Sequence, residues 1–470
     1  MIFNSITFAV FLPVVFAIYW SLANRKLVYQ NILLLVASYV FYGFWDARFL
    51  VLIFVSSLSD YLIGLQLAKA EKEEKRKRWL GLSLLINLGV LFSFKYFNFF
   101  LDSFSILVET FGFQANKSTL QIILPVGISF YTFQTLSYTI DIYKNKIKPT
   151  RNFIDFFAFV SFFPQLVAGP IERASHLLPQ FQEKRYFTYE NANAGLRLIL
   201  WGLFKKVVVA DRLAYSVSLV YDSPQDFSGF AVILATAFFA IQIYCDFSGY
   251  SDIAIGTARL FGFDLMTNFK TPYLSTSIRD FWQRWHISLS TWFRDYVYIP
   301  LGGNRVSTGR WWLNVMTTFT VSGLWHGANW TFVIWGGIHG LFYAIEKQFE
   351  AIKLPKFLSG ILVFTIVCIA WIFFRADTLN DAILLIQNAT NFTQVFDFQA
   401  LFINKNYGIY TIIAIGILII FDILNQQNEI NDWLIQQPKI IRWAIYYFLL
   451  FAIVFFGEFT NAPEFIYFRF

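Results

Sequence analysis

Residues 324–340 read LWHGANWTFVIWGGIHG and place two histidines, His326 and His339, in an apolar stretch long enough to lie within a bilayer. The chain has only four histidines. An ionisable imidazole at membrane depth is costly, so its presence there points to a functional site. A third histidine, His286, lies in the equally unusual run 279–305, RDFWQRWHISLSTWFRDYVYIPLGGNR. These two stretches decide the fold and the function that we expect.

The composition is that of an integral membrane protein. Of the 470 residues, 57% are hydrophobic and 14% are charged, whereas soluble globular proteins are about half apolar and about a quarter charged. At about 20 residues per spanning helix, this apolar content accommodates about 11 transmembrane helices with short loops. We therefore predict an all-α polytopic membrane protein whose residues 1–470 form a single membrane-embedded domain.

The candidate spans are apolar stretches, several of them short enough to be tilted or interfacial. They cover residues 6–22, 31–45, 49–67, 80–100, 121–142, 196–210, 230–247, 312–330, 332–344, 357–374, 409–423 and 440–456. Residues 153–168 are also apolar but reach a Gly-Pro break at 169–170, too early for a full crossing. A re-entrant hairpin is expected there.

Basic residues in the loops predict the orientation. Residues 69–78 read KAEKEEKRKR, residues 144–151 carry three lysines and one arginine, and the linker 270–310 is rich in arginine. The positive-inside rule places all three in the cytoplasm and, counting back through three spans, the N-terminus outside. The net charge of +7 is explained by these loops, so it does not indicate a nucleic-acid partner.

His326 is the leading catalytic candidate. If Trp312 begins a helix at the cytoplasmic surface, His326 lies 14 residues further on, about 21 Å along the axis. Burial would keep its imidazole neutral, able to act as a general base toward an incoming hydroxyl. Asn329 is expected to share its helix face and to orient the imidazole or stabilise an oxyanion, with Trp325 as an apolar wall. The alternative is a histidine that only bridges helices by hydrogen bonds.

Two further histidines each allow two interpretations. His286, flanked by Arg284 and Trp285, is expected either at a cytoplasmic mouth that binds a phosphate-bearing donor or in an ordinary interfacial amphipathic segment. His339 follows the Gly-Gly pair 336–337, which is expected to end or bend its helix. It is either a substrate contact or a packing histidine.

Other kinds of site have little support. The chain has no Walker loop, no GxSxG elbow and no HExxH pair. His326 and His339 are too far apart for an i, i+4 metal pair, so no metal site is expected. His176 lies in the polar segment ERASHLLPQ and is expected to be solvated. Cys245 and Cys368 are expected to be small buried hydrophobes.

The two runs together, DFWQRWHISLSTWFRDYVYIPLGGNR and LWHGANWTFVIWGGIHG, resemble the membrane-bound O-acyltransferase (MBOAT) family. The resemblance covers nearly the whole chain, and YIPLGGNR resembles the polysaccharide-acetylating, alginate O-acetyltransferase-like branch. It implies a funnel-shaped bundle in which a cytoplasmic acyl donor meets an extracytoplasmic acceptor. His326 and His286 match the family's two functional histidines, with weaker support for His339. The implied donor is acetyl-CoA or an acyl group derived from it, used as substrate with no bound cofactor.

The end of the sequence adds one more motif. Residues 465–468, FIYF, resemble the FxYF tail of this branch, in which the tyrosine is implicated as an acyl carrier. A phenol can be acylated once a base removes its proton, so Tyr467 joins the catalytic candidates. Pro463 is expected to stop the preceding helix near Glu458 and let the tail fold back toward His326. The alternative is an aromatic anchor at the membrane interface.

These features predict an O-acyltransferase in the bacterial cytoplasmic membrane that passes acetyl groups to an extracytoplasmic polysaccharide with the help of an extracytoplasmic acetyltransferase. Peptidoglycan or another envelope glycan remains open as the acceptor. A secondary transporter without catalysis is an alternative from another class, although transporters often contain paired repeats and no repeat is visible in this sequence.

Overall fold

The computed structural model describes residues 1–113, 123–167, 169–348, 354–393, 396–424, 430–459 and 464–468. Throughout these ranges the regular elements are helical, as predicted. The chain divides into two compact units, Met1–Gly195 with Ala254–Met266 and Leu196–Ile253 with Thr267–Phe470. The single domain over residues 1–470 stays a prediction.

The first unit contains nine complete helices within the described residues. They are α1 (Ile6–Ser21), α2 (Leu27–Asp46), α3 (Leu50–Lys69), α4 (Glu73–Leu91), α5 (Phe97–Thr110), α6 (Ile128–Tyr143), α7 (Phe153–Ser161), α8 (Phe163–Leu166) and α9 (Ala174–Gln182). Buried polar contacts join them. Asp60 on α3 accepts hydrogen bonds from Ser83 (2.7 Å) and Asn87 (2.8 Å) on α4. Such contacts join helices where lipid supplies no hydrogen-bond partner.

The second unit holds most of the remaining helices, and α10 and α12 contribute to both units. The helices are α10 (Tyr189–Leu203), α11 (Asp211–Tyr221), α12 (Phe230–Leu260), α13 (Ile278–Arg284), α14 (Ile287–Phe293), α15 (Thr308–His326), α16 (Trp330–Gln348), α17 (Lys356–Arg375), α18 (Leu379–Ala389), α19 (Lys405–Leu424), α20 (Ile430–Gln436) and α21 (Lys439–Phe456). A π-helical turn, Phe204–Ala210, joins α10 to α11. Turns of this kind are frequent at functional sites.

Six helical runs in the described residues are long and apolar enough to cross a membrane. They are Leu27–Lys69, Glu73–Thr110, Phe230–Leu260, Lys356–Arg375, Lys405–Leu424 and Lys439–Phe456. The first run contains α2 and α3, each of 20 residues, separated by a short 3-10 turn. The total of about 11 spans and the funnel shape stay predictions.

The segment beginning at Phe153 is broken, as its length suggested. α7 ends at Ser161, and α8 resumes for four residues after a non-helical Phe162. Pro164 lies in the first turn of α8, where its missing N–H is tolerated. Ala168, the end of the predicted hairpin, lies outside the described residues, and re-entry into the membrane stays a prediction.

The expected bend at the Gly-Gly pair is wrong, because α16 runs unbroken from Trp330 to Gln348. Gly336 instead allows α16 to pack closely on α15. A Cβ at Gly336 would lie 2.3 Å from the carbonyl oxygen of Phe319, and a Cβ at Gly323 would lie 2.2 Å from that of Phe332. Small residues at such crossings let two membrane helices approach backbone to backbone.

Candidate active site

His326 is the last residue of α15 and is only 2% exposed. The helix ends there because the backbone of Gly327 is extended, and the ring of Phe332 packs against Gly327. The expectation that Asn329 shares a helix face with His326 is therefore wrong. Asn329 lies beyond the helix end, where its side chain accepts from the backbone N–H of Thr331 and donates to the carbonyl of Asp377. A substrate role for Asn329 thus has no support from the geometry.

His286 lies in the turn between α13 and α14 and is completely buried. Its backbone is left-handed, with φ 42°, a conformation that is strained for a residue with a side chain and occurs often at functional sites. Neither ring nitrogen has a hydrogen-bond partner among the described residues. The imidazole therefore has hydrogen-bonding capacity to offer a substrate.

The structure brings His286, His326 and Tyr467 together in one cluster of rings. The ring centroids are 6.2 Å apart for the two histidines, 5.6 Å for His326 and Tyr467, and 6.1 Å for His286 and Tyr467. Trp325 contacts both histidines, at 6.2 Å from His286 and 5.0 Å from His326. Phe247 on α12 completes the contact, at 4.6 Å from His286 and 4.3 Å from Tyr467. The imidazole and the phenol that were predicted to act as base and nucleophile thus belong to neighbouring side chains.

Residues 465–468 place Tyr467 in this cluster. Their short helical turn, Ile466–Phe468, follows Phe465, whose ring stacks on Tyr250 at 4.5 Å. The phenolic oxygen of Tyr467 is buried. Pro463, which we expected to redirect the chain, lies outside the described residues, whereas α21 ends at Phe456. The predicted approach of the tail to His326 is confirmed by the ring contacts.

The remaining predicted site residues lie further out. His339 is buried but separated from His326 by Trp335, whose ring is 5.0 Å from His326 and 5.1 Å from His339. Trp285 packs on Trp371 at 5.0 Å and forms part of the buried wall. Arg284 is engaged by the carboxylate of Asp280 at 2.7 Å. Their substrate-binding roles stay predictions.

A cavity of about 700 Å³ lies beside α13, α14 and α15. Arg279, Arg294 and Asn304 line it together with Trp282, but Arg284 does not. The ring of Trp282 also contacts His339 at 5.0 Å. The cavity arginines are therefore not the one that the sequence suggested, since Arg279 lies five residues before Arg284 and Arg294 lies ten residues after it. In the described residues, no group of three or more His, Cys, Asp or Glu side chains forms a metal-binding cluster.

The structure also reveals supporting residues that the sequence reasoning missed. Asn268 fixes the turn of His286, because its side chain accepts from the hydroxyl of Ser288 at 2.6 Å and donates to Ser251 at 2.9 Å. Lys206 and Asp246 form a buried ion pair at 2.7 Å. A charged residue inside an apolar span is a sequence signal of function. Lys206 and Asp246 lie inside the predicted spans 196–210 and 230–247, so the sequence contained this signal.

The first unit contains the fourth histidine, and the expectation that it is merely solvated is wrong. His176 Nδ1 lies 2.7 Å from the buried carboxylate of Glu172, and Nε2 lies 3.5 Å from Asp264. Hydrogen bonds to Asp264 and Glu172 raise the pKa of His176 to about 10, so it is protonated at neutral pH. The i, i+4 spacing of Glu172 and His176 was the signal for this pair.

The helices of the described residues and their apolar runs are those of a polytopic membrane protein, and two buried histidines lie beside a phenol in the ring cluster. The profile of the membrane-bound O-acyltransferase family, MBOAT, matches residues 34–375, and the chain belongs to this family. It is therefore an acyltransferase of the membrane, and the predicted family is confirmed.

Proteins of several bacteria are similar in sequence to this chain. The chain is 44% identical to the probable alginate O-acetylase AlgI of Pseudomonas aeruginosa over 387 residues, which are 81% of this chain and 73% of the relative. It is 33% identical to the peptidoglycan O-acetyltransferase of Helicobacter pylori across 100% of this chain and 98% of the relative. The teichoic acid D-alanyltransferase of Bacillus subtilis is 26% identical over 48% of this chain. The likeness is thus stronger to the two O-acetylating enzymes.

Proposed function

We propose that this acyltransferase acetylates hydroxyl groups of a cell-envelope polysaccharide through a covalent acetyl-tyrosine at Tyr467. The observation that carries the proposal is the ring cluster, in which Tyr467 lies 5.6 Å from His326 and 6.1 Å from His286, centroid to centroid. The names of the O-acetylating relatives support the choice of acetyl as the acyl group. The family membership argues against a transporter without catalysis.

In the first half-reaction, His326 takes the phenolic proton of Tyr467 as the oxygen attacks the carbonyl carbon of a thioester donor. The new bond is the phenolic ester, the bond that breaks is the C–S bond of the donor, and the thiol leaves with the proton from the imidazolium. His286 orients the reacting groups through its buried ring. Trp325 and Phe247 exclude water, which would otherwise hydrolyse the ester.

In the second half-reaction, a sugar hydroxyl attacks the ester and the phenol of Tyr467 is restored. The hydroxyl proton passes through the same base, and the acetyl group ends on the glycan. An extracytoplasmic acetyltransferase partner presents the sugar or takes the acetyl group onward. An aryl ester is a better acyl donor than the alkyl ester that forms, because phenol is the more acidic alcohol, with a pKa near 10.

The cavity lined by Arg279 and Arg294 is the proposed entry for acetyl-CoA or a related phosphate-bearing donor. Guanidinium groups bind phosphates in a bidentate manner. This assignment moves the donor contact from Arg284, which does not line the cavity. It also places the donor at the cytoplasmic end of α15 in a bacterial cytoplasmic membrane, with the N-terminus outside.

A second acceptor is supported by the whole-length match to the peptidoglycan O-acetyltransferase of Helicobacter pylori. Alginate-like glycans and peptidoglycan both offer secondary sugar hydroxyls, and the transfer chemistry is the same for both. Mild base releases ester-bound acetate from purified polysaccharide and from purified peptidoglycan. The fraction that loses acetate in a deletion strain and regains it in the complemented strain contains the acceptor.

The proposed function predicts that His326→Ala and Tyr467→Phe both abolish glycan acetylation. Loss of a general base costs about 10²–10⁴ in rate, and Tyr467→Phe keeps the packing but removes the nucleophilic oxygen. Proteoliposomes supplied with isotope-labelled acetyl-CoA are digested, and the peptide containing Tyr467 is analysed by mass spectrometry. Wild-type protein should carry labelled acetyl on Tyr467, whereas both variants should lack it.

The matched control is His176→Gln, which removes a histidine that lies outside the ring cluster. It should retain labelling of Tyr467 at neutral pH. Full glycan acetylation in a normally expressed His326→Ala variant contradicts the base assignment. If Tyr467→Phe retains acetylation while deletion of residues 464–470 destroys it, the tail is a docking element and the covalent relay is wrong.

A further inference from the structure

The segment 465–468 is attached to the rest of its unit by a buried ionic group. Asp246 on α12 accepts a hydrogen bond from the backbone N–H of Ile466 through Oδ2, at 2.8 Å. Its other oxygen, Oδ1, lies 2.7 Å from the ammonium group of Lys206. Lys206 also pairs with Asp211 at 2.7 Å. The side chains of all three residues are at most 3% exposed.

Two carboxyl groups share one ammonium group in a buried place. A buried charged oxygen that loses a hydrogen-bond donor is costly. The N–H of Ile466 supplies such a donor to Asp246. The ion group is therefore better satisfied when the segment is docked than when it is released.

The chain leading to the segment is held by the same π-helical turn. The backbone N–H of Glu458, just after α21, donates to the carbonyl of Val207 at 2.9 Å. Val207 follows Lys206 in that turn. Both described ends of the path from α21 to Tyr467 thus depend on the turn that carries Lys206.

We propose that Asp246 is a positioning residue, which docks segment 465–468 through the N–H of Ile466 and so holds Tyr467 between His286 and His326. Neighbours on α12 assist. Phe247 contacts Tyr467 at 4.3 Å, and Tyr250, one turn from Asp246, stacks on Phe465. A hydrogen bond to a charged acceptor is worth about 1.5–3 kcal/mol, which corresponds to roughly 10–100-fold in the docking equilibrium. The catalytic consequence rests on the proposed role of Tyr467, whereas the docking itself does not.

The test removes the donor without disturbing the ion group. Ile466→Pro lacks the N–H, and proline is tolerated at the first position of a helical turn. Ile466→Ala loses the same apolar side chain but keeps the N–H, so it is the matched control. The reporter is Phe468→Cys, placed in a background with Cys245→Ala and Cys368→Ala and treated with membrane-permeant N-ethylmaleimide.

We expect Ile466→Pro to raise the labelling rate of the cysteine at position 468 at least about tenfold above that of Ile466→Ala. In an Asp246→Ala background the two substitutions should give equal rates, because the acceptor is already absent. Asp246→Asn keeps an oxygen acceptor and should restore most of the protection. If the alanine variant does not fold, the comparison of Ile466→Pro with Ile466→Ala in the presence of Asp246 still decides the proposal.

Equal labelling rates for Ile466→Pro and Ile466→Ala with Asp246 intact would overturn the proposal. So would a proline effect that persists undiminished without Asp246. Acetylation is measured in parallel and should fall with the loss of protection. If Tyr467→Phe retains acetylation, the covalent relay fails, yet the labelling rates still decide whether Asp246 docks the segment.

Discussion

His286 combines a left-handed backbone with a buried imidazole. Such a conformation costs on the order of 1–3 kcal/mol for a residue other than glycine, and it persists where the surroundings determine it. Asn268 supplies much of that determination, since its carbonyl accepts from the backbone N–H of Ile287 at 2.9 Å and its side chain binds Ser288. The strain is therefore part of how the ring reaches Tyr467.

Two substitutions at this position distinguish the role of the imidazole ring from that of the left-handed backbone. His286→Asn and His286→Ala both remove the imidazole, so both should lose acetyl transfer. Asparagine tolerates the left-handed region better than alanine, so His286→Asn should unfold at the higher temperature. Thermal unfolding in detergent and an acetyl-transfer assay check the two statements. Wild-type transfer by His286→Asn would show that the imidazole is dispensable.

The sequence identified His286, His326 and Tyr467 because each is a reactive group in an apolar or motif-bearing run. It could not identify Asn268 or Asp246 as their supports. Asp246 meets Ile466 across 220 residues of chain, and no local pattern indicates such a pairing. The predicted position of Asn329 was wrong for a local reason. The backbone of Gly327 is extended, so α15 ends at His326 and Asn329 lies outside the helix.

Among the secondary-structure elements, the packing of α15 on α16 determines where His326 lies. The two helices approach so closely that Gly323 and Gly336 face backbone atoms of the partner helix. The length and apolarity of each helix were visible in the sequence, and α17, α19 and α21 lie within a few residues of their predicted bounds. The function of the Gly-Gly pair was not visible in the sequence, because a glycine that allows close packing and a glycine that breaks a helix look alike in one sequence.

The Gly-Gly pair offers a matched experiment on this helix crossing. A Cβ at Gly336 would lie 2.3 Å from the Phe319 carbonyl oxygen, whereas a Cβ at Gly337 meets nothing within 4 Å. Gly336→Ala should therefore destabilise the protein by about 1–3 kcal/mol, typical of overpacking, and lower acetyl transfer. Gly337→Ala should leave stability unchanged or raise it slightly, because alanine favours helix.

Thermal unfolding and activity of the two alanine variants in the same detergent decide this prediction. Equal stability of Gly336→Ala and wild type would mean that α15 and α16 separate at little cost. In that case the position of His326 would not depend on their close contact.

At the scale of the whole molecule, composition alone predicted a helical membrane protein, and the family membership confirms it. Orientation rests on the basic loops, because the positive-inside rule reads lysine and arginine near the ends of spans. The 19 residues of α15 extend about 28 Å, close to the hydrocarbon thickness of a bilayer. With Ser307 near the cytoplasmic surface, His326 should therefore lie in the outer half of the bilayer, and the residues beyond it should approach the opposite surface.

Cysteine labelling tests this orientation at two exposed positions. In a background with Cys245 and Cys368 replaced, Ser307→Cys should react with a membrane-impermeant maleimide in inverted vesicles but not in intact cells. Asn380→Cys is the matched control, since Asn380 lies near Asp377, whose carbonyl binds Asn329 just beyond the other end of α15. It should show the opposite pattern. Labelling of Ser307→Cys in intact cells would reverse the topology and place the Arg279 and Arg294 cavity outside, where a cytoplasmic donor has no access to it.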